Sequence, residues 1–287
     1  MIVVYLQGGL GNQLFQYAFG RYLSLRYQTE LLIDPYWFGH PRPGETPRTL
    51  DIFDFNINAR LADLQQQLKW RKLRSRYLGF VSWMMPLRLV RESGSCIDRV
   101  LLDVNDDSYL IGFWQSERYF SEIRDFLLTE IQPFSPLFAD LLSLSNQIQS
   151  CQSVSVHVRR GDYVTSASAN GFHGVCDLAY YKAAIKYMAL HIDTPVFYVF
   201  TDDPDWAKNN LEIPYPVCFV SDLLSLCSWQ DLWLLSRCNH HIIANSSFSW
   251  WGAWLSANPG KVVIAPRQWF ASTPLPADLL PEAWVKL

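Results

Sequence analysis

The chain has no apolar run approaching the roughly 18–20 residues of a membrane span, so no spanning helix is predicted. It also lacks a secretory start. Met1-Ile2-Val3-Val4-Tyr5-Leu6 is apolar but stops at Gly8-Gly9, without a basic leader or cleavage site, and reads as a first strand. Cys96, Cys151, Cys176, Cys218, Cys227 and Cys238 include no C-x-x-C pair and no zinc-like spacing. Reduced thiols in a cytoplasmic protein are expected. Charge is scarce, at 18 % of residues with a formal net of −3, which argues against a nucleic-acid partner held by overall charge. There is no internal repeat.

What remains is rich in core formers. The 287 residues are 49 % apolar, enough for two modest domains or one large one. Twelve Trp, fourteen Tyr and seventeen Phe are many for this length. Most belong in a core, but flat rings also suit the apolar faces of sugars or bases.

The first unit reads as strand 1–7, a turn at Gly8-Gly9-Leu10-Gly11, and a helix from Asn12 to about Arg26, followed by a strand at Leu31–Asp34. Pro41, Pro43, Gly44 and Pro47 make 39–50 a loop. Residues 61–92 look helical and basic, and 109–114 reads as a strand. Helices at 125–131 and 137–149 flank Pro133 and Pro136, so a change of domain is expected near 135–152. The division predicted is 1–150 and 151–287. From 153 the pattern alternates cleanly, with strands at 154–159, 196–201, 216–220, 241–244 and 261–265. Helices at about 177–192, 204–211, 225–239 and 246–257 separate them. This is the signature of an α/β, doubly wound parallel sheet, whose right-handed crossovers gather all strand ends on one edge. Polar clusters fall at those ends: His157, Arg159 and Arg160, then Asp202 and Asp203, then Asn245, Ser246 and Ser247. That convergence points to a nucleotide-type ligand.

Arg159 and Arg160 present forks of donors that match phosphate oxygens, or else merely close a strand at the surface. The glycine turn misses the third glycine of a dinucleotide fingerprint, because Leu14 stands there, and no Gly-Lys-Ser/Thr follows to make a P-loop. It either packs tightly or lets the backbone approach a ligand, with the Asn12 and Gln13 amides at the mouth. Asp203-Pro204-Asp205 is formally a D-x-D metal pair, yet Asp before Pro is better read as a helix N-cap. Asp202 has no capping role and is expected to point at the site. Asn245-Ser246-Ser247-Phe248 opens a helix whose N–H groups and hydroxyls suit a phosphate or a plain cap. Asp231 lies among Trp229, Leu232 and Trp233; buried, it would need paired donors such as guanine N1–H and N2–H. His157 is either a packed core histidine or a ligand contact, and His173 sits in a loop that would line an acceptor cleft. The basic run Lys69–Arg76 is a solvated helix face or a patch for an anionic membrane or lipid-linked glycan.

Four blocks together carry a resemblance: Gly8–Tyr17, His157-Val-Arg159-Arg160-Gly161-Asp162-Tyr163, Thr201–Pro204 and Asn245–Trp251. In them the chain resembles the bacterial α-1,2-fucosyltransferases, grouped with the blood-group H-type enzymes as a glycosyltransferase family 11-like set. The resemblance implies a GT-B-like fold of two facing Rossmann-like domains, the first on the acceptor side and the second binding the donor. It implies GDP-fucose as donor, a β-galactoside acceptor, no metal cofactor, and a product bound for surface polysaccharide. Arg159 is then similar to the residue that grips the β-phosphate, Asp231 to one that reads guanine, and Asn12 to one near the fucosyl group. His157, Arg160, Asp202, Ser246, Ser247 and Phe248 complete the donor set. α-1,6 relatives carry a Glu shortly after the Arg-Arg block, whereas Ala167 and Ser168 stand here, so the resemblance does not supply the base; Asp162 is named for it first and His173 second.

Overall fold

The structure, a computed structural model, describes residues 1–40, 46–74, 87–92, 104–161, 164, 171 and 174–287, with the side chains of 71–74 excepted. The chain forms two units, Met1–Gln132 with Pro276–Leu279, and Pro133–Leu275 with Leu280–Leu287. Each is built on an all-parallel sheet.

In the first unit β1 (Ile2–Tyr5), β2 (Leu31–Asp34), β3 (Arg60–Leu61), β4 (Arg88–Arg91) and β5 (Ser108–Ile111) lie in the order β3-β2-β1-β5-β4. Helix α1 (Leu10–Arg26) returns the chain from β1 to β2 and is buried along most of its length. Phe19 of α1 lies 4.6 Å from the Trp114 ring. The opposite face is covered by α2 (Leu64–Arg74), whose Trp70 packs with Val3, Leu32 and Tyr109. The span 61–92 is therefore not one helix. Its helix ends at Arg74 and Arg88–Arg91 is an edge strand. Only Leu89 and Val90 face inward there, between exposed arginines, too short an apolar pattern for a strand to declare itself. Helix α3 (Arg124–Glu130) closes the unit, and its Glu130 takes Arg21 in a two-pronged ion pair, Nη2 to Oε1 at 2.7 Å and Nε to Oε2 at 3.1 Å.

In the second unit the sheet order is β11-β10-β9-β6-β7-β8, from β6 (Ser153–Val158), β7 (Val196–Thr201), β8 (Val217–Phe219), β9 (His240–Ile242), β10 (Val263–Ala265) and β11 (Val285–Lys286). Counted from β6 this is the 3-2-1-4-5-6 order of a doubly wound dinucleotide-type sheet. Alternation along the strands builds two cores. Val154, Val156, Val158, Phe197 and Val199 face Tyr180, Tyr181, Ile185 and Met188 of α5 (Leu178–His191). Tyr198 and Phe200 face Leu141, Leu144 and Ile148 of α4 (Ala139–Gln149), and Trp233, Leu234 and Leu235 of α7 (Ser228–Arg237). Because α4 packs on this sheet, the units divide at Gln132/Pro133 rather than near 150. Helices α6 (Pro204–Asn210) and α8 (Ser247–Leu255) follow β7 and β9. Cys151, Cys176, Cys218, Cys227 and Cys238 are free thiols, and Cys96 lies outside the described residues.

Candidate functional site

In a doubly wound sheet the ligand crevice lies beyond the carboxyl ends of the strands where the order reverses. In the second unit that point is between β6 and β9, which pair through Val154–His240 and Val156–Ile242. The residues just past β6 are Arg159 and Arg160, and those past β9 are Asn245, Ser246 and Ser247. The spot falls where the sequence placed its densest polar cluster.

Arg159 is held by a carboxylate from the neighbouring strand end. Its Nη1 lies 2.7 Å from Asp202 Oδ2, and Asp202 Oδ1 accepts the Arg160 backbone N–H at 2.8 Å. Asp202 thus holds the Arg159 side chain and the Arg160 backbone together, an assignment that local sequence did not give. Gly161 completes it: a Cβ there would stand 2.6 Å from Asp202 Oδ2, so only glycine lets the carboxylate approach. Arg160 is engaged differently. Its guanidinium lies 3.8 Å over the Trp206 ring and Nε reaches Asp203 Oδ2 at 3.2 Å. Asp203 is the N-cap of α6, accepting the Trp206 N–H with Pro204 opening the helix, as its sequence context predicted. No group of three or more metal-type ligands occurs among the described residues.

Ser246 caps α8, its side chain accepting the Phe248 N–H at 3.3 Å. Asn245, buried, fixes the approach to that helix. Its Nδ2 donates to the carbonyls of Gly174 at 3.3 Å and Trp269 at 3.1 Å, while the Cys176 thiol donates to its Oδ1. Ser247 and Phe248 are half-buried at the helix start. The Phe248 ring lies 5.6 Å from that of His157, so the penultimate residue of β6 meets the first turn of α8. His157 is 6 % exposed and its Nδ1 has no hydrogen-bond partner among the described residues. Burial drives its pKa down to about 4, the Asp202 charge opposing and Arg159 assisting, so the ring is neutral at neutral pH. It is a buried imidazole rather than a cation for phosphate.

Asp231 sits in the first turn of α7 beside buried Trp229, Leu232 and Trp233. Burial alone pushes its carboxyl up to about 7. It has neither an ion pair nor a side-chain hydrogen bond among the described residues. Helices α7 and α8 approach closely, since a Cβ on Gly252 would stand 2.1 Å from Leu235 Cδ2.

In the first unit the sheet order reverses between β1 and β5, and the glycine turn stands there. Gly8 has φ +83°, and a Cβ there would lie 2.7 Å from Asn12 Nδ2. Asn12 Oδ1 accepts from Gln115 Nε2 at 2.8 Å, past the end of β5. Gln13 corrects the expectation of a ligand contact. It is fully buried, donating to Gly8 O and Thr49 O and accepting from the Asp51 and Ile52 N–H groups. With every amide position used, it ties the loop to α1. Asp162 and His173, named as base, lie outside the described residues.

A structural comparison gives a TM-score of 0.54, at 10 % identity over 91 % of this chain and 69 % of the other, with a mutant of Arabidopsis thaliana FUT1 in complex with GDP. An α-1,2-colitosyltransferase of Escherichia coli is 34 % identical over 289 residues, covering 100 % of this chain and 99 % of that one. Human galactoside α-(1,2)-fucosyltransferase 1 is 26 % identical over 261 residues, covering 88 % of this chain and 65 % of that one. The family model described as glycosyl transferase family 11 matches residues 1–286. The chain belongs to glycosyltransferase family 11.

Proposed function

We propose that this glycosyltransferase moves L-fucose from GDP-β-L-fucose to the 2-hydroxyl of a terminal β-galactoside, with inversion at the anomeric carbon. One observation carries the reading: a carboxylate-held guanidinium and a capped helix start stand at one switch point of a dinucleotide-type sheet. The acceptor oxygen attacks in line, the sugar–phosphate bond breaks, and its electron pair leaves with GDP. Negative charge therefore grows on the diphosphate. In this reading Arg159 and the first N–H groups of α8 meet that charge. The motif resemblance and the human relative support α-1,2 linkage to galactoside. No metal is required in this scheme, since fixed donors do the neutralising. The base is assigned to Asp162 first and His173 second, as the carboxylate and imidazole that follow the Arg-Arg block in sequence, and Asn12 to the fucosyl group on the resemblance.

The Escherichia coli relative favours a second reading, in which the linkage is kept and the sugar is colitose. Purified protein given lactose with either GDP-fucose or a colitosyl donor distinguishes the two. The proposal expects GDP and a fucosylated disaccharide at the higher kcat/KM with GDP-fucose. Preference for the colitosyl donor would transfer the function to the second reading, and GDP without disaccharide would leave only hydrolysis.

Asp231 gives a pH signature. Its folded pKa, about 7, exceeds that of an unfolded aspartate, so its stability contribution is full at acid pH and is lost as pH rises through about 7. A guanine edge offers two donors and requires the ionised carboxylate. GDP binding below pH 7 should therefore release close to one proton, and affinity should tighten up to about pH 7 and then level. Calorimetry in buffers of different ionisation enthalpy reads the proton directly. Asp231→Asn should bind more weakly and lose the pH dependence. Binding without proton release would remove Asp231 from the guanine.

A further inference from the structure

We propose that helix α2 of the first unit docks the protein on an anionic lipid surface. Between positions 64 and 91 the sequence holds Lys69, Arg71, Lys72, Arg74, Arg76, Arg88 and Arg91 and no acidic residue. Set against a whole-chain charge of −3, this +7 leaves −10 on the rest. The charge is therefore polarised towards one stretch, of which α2 supplies four cations within eleven residues.

The orientation of α2 adds the second half. Trp70 is 3 % exposed and anchors the helix to the sheet. Leu64 and Leu68, one turn apart on the same row, are 69 % and 54 % exposed, and Leu61 just before the helix is 44 % exposed. Lys69 is exposed beside them. Asp63 and Gln66 form a reciprocal cap, Asp63 Oδ1 accepting the Gln66 N–H at 2.8 Å and Gln66 Oε1 the Asp63 N–H at 3.0 Å. Glu30 pairs with Arg60 at 2.7 Å.

Exposed leucines beside an exposed lysine, on a stretch whose sequence is rich in cations, fit a surface whose headgroups are anionic and whose interior is apolar. A nucleic-acid backbone would satisfy the cations but give the leucines nothing to bury against. Among the described residues no helix is long and apolar enough to cross a membrane, and the contact proposed is a peripheral one. Docking of this kind would bring the enzyme to acceptors carried at the membrane. It does not depend on which sugar is transferred.

Co-sedimentation of the full chain with vesicles tests it. The probes are phosphatidylcholine alone and phosphatidylcholine with about one-third phosphatidylglycerol, at low and high salt. Binding is expected only to the anionic vesicles, and is expected to weaken with salt. Lys69→Glu should cut the partition coefficient about five-fold or more, and Leu64→Ser with Leu68→Ser should abolish sedimentation. Transfer to a soluble acceptor should stay unchanged in both variants, which also shows that they fold. Equal binding to neutral vesicles, or no loss in the leucine variant, would overturn the proposal. So would a concentration-dependent dimer dissociated by the leucine changes, because the face would then belong to a second copy.

Discussion

Arg159→Ala should lower kcat by about two to three orders of magnitude at saturating donor, since one donor aimed at developing charge is worth about 3–4 kcal/mol of barrier and each 1.36 kcal/mol is tenfold. The argument is directional. Asp202 fixes the guanidinium by a 2.7 Å ion pair and is itself fixed by the Arg160 N–H at 2.8 Å. On the proposed mechanism the fork therefore costs little reorganisation when charge grows on the leaving diphosphate. Arg159→Lys should not restore the rate, because a single ammonium cannot both meet Asp202 and span two phosphate oxygens. Asp202→Asn is the companion variant. It keeps Arg159 but loosens its aim, and misplacement of this kind costs up to about 10²-fold. Its loss should fall mainly on kcat, with GDP affinity changing less. Near-wild-type kcat in Arg159→Ala would refute the assignment, and an Asp202→Asn loss confined to KM would refute the clamp.

These two residues also mark where sequence stops being readable. Strands β2 and β7 appear at the expected bounds because each is an unbroken apolar run between turn-forming or charged residues. Arg159 was legible for the same reason: apolar alternation ends at Val158 and charge begins. Asp203 was legible because an N-cap is a local device. Asp202 was not, since its partners stand forty-odd positions earlier and meet it only through the β6–β7 pairing. Gln13 failed for a related reason. Its amide is consumed by Thr49, Asp51 and Ile52, which only the folded loop brings to it. Edge strand β4 was hidden by its own exposed arginines, a common way of blunting an edge. Local signals thus located the strand ends, while the hydrogen bonds that give each polar group its task came from the sheet order.

Trp250→Ala should cost the second unit about 3–5 kcal/mol, the range for truncating a buried Trp. Trp250 has no exposed surface. Its ring stacks near Trp254 at 6.1 Å, meets Trp251 edge-on at 5.3 Å and lies 5.5 Å from Trp284 near the C-terminus. Removing it leaves three large rings facing a void that rigid neighbours fill poorly. The loss is a large share of the roughly 5–15 kcal/mol that holds a domain together. It also reaches the site, because Trp250 stands in the first turn of α8, the helix that Ser246 caps. The expected result is a clear fall in the urea midpoint followed by far-ultraviolet circular dichroism, with weaker GDP binding where the variant is still folded. Trp250→Phe should lose less, since a ring still fills part of the space. Phe134→Ala, at a position 70 % exposed in the same unit, should move stability by about 0.5 kcal/mol or less. Equal shifts for Trp250→Ala and Phe134→Ala would show that the tryptophan cluster does not support α8.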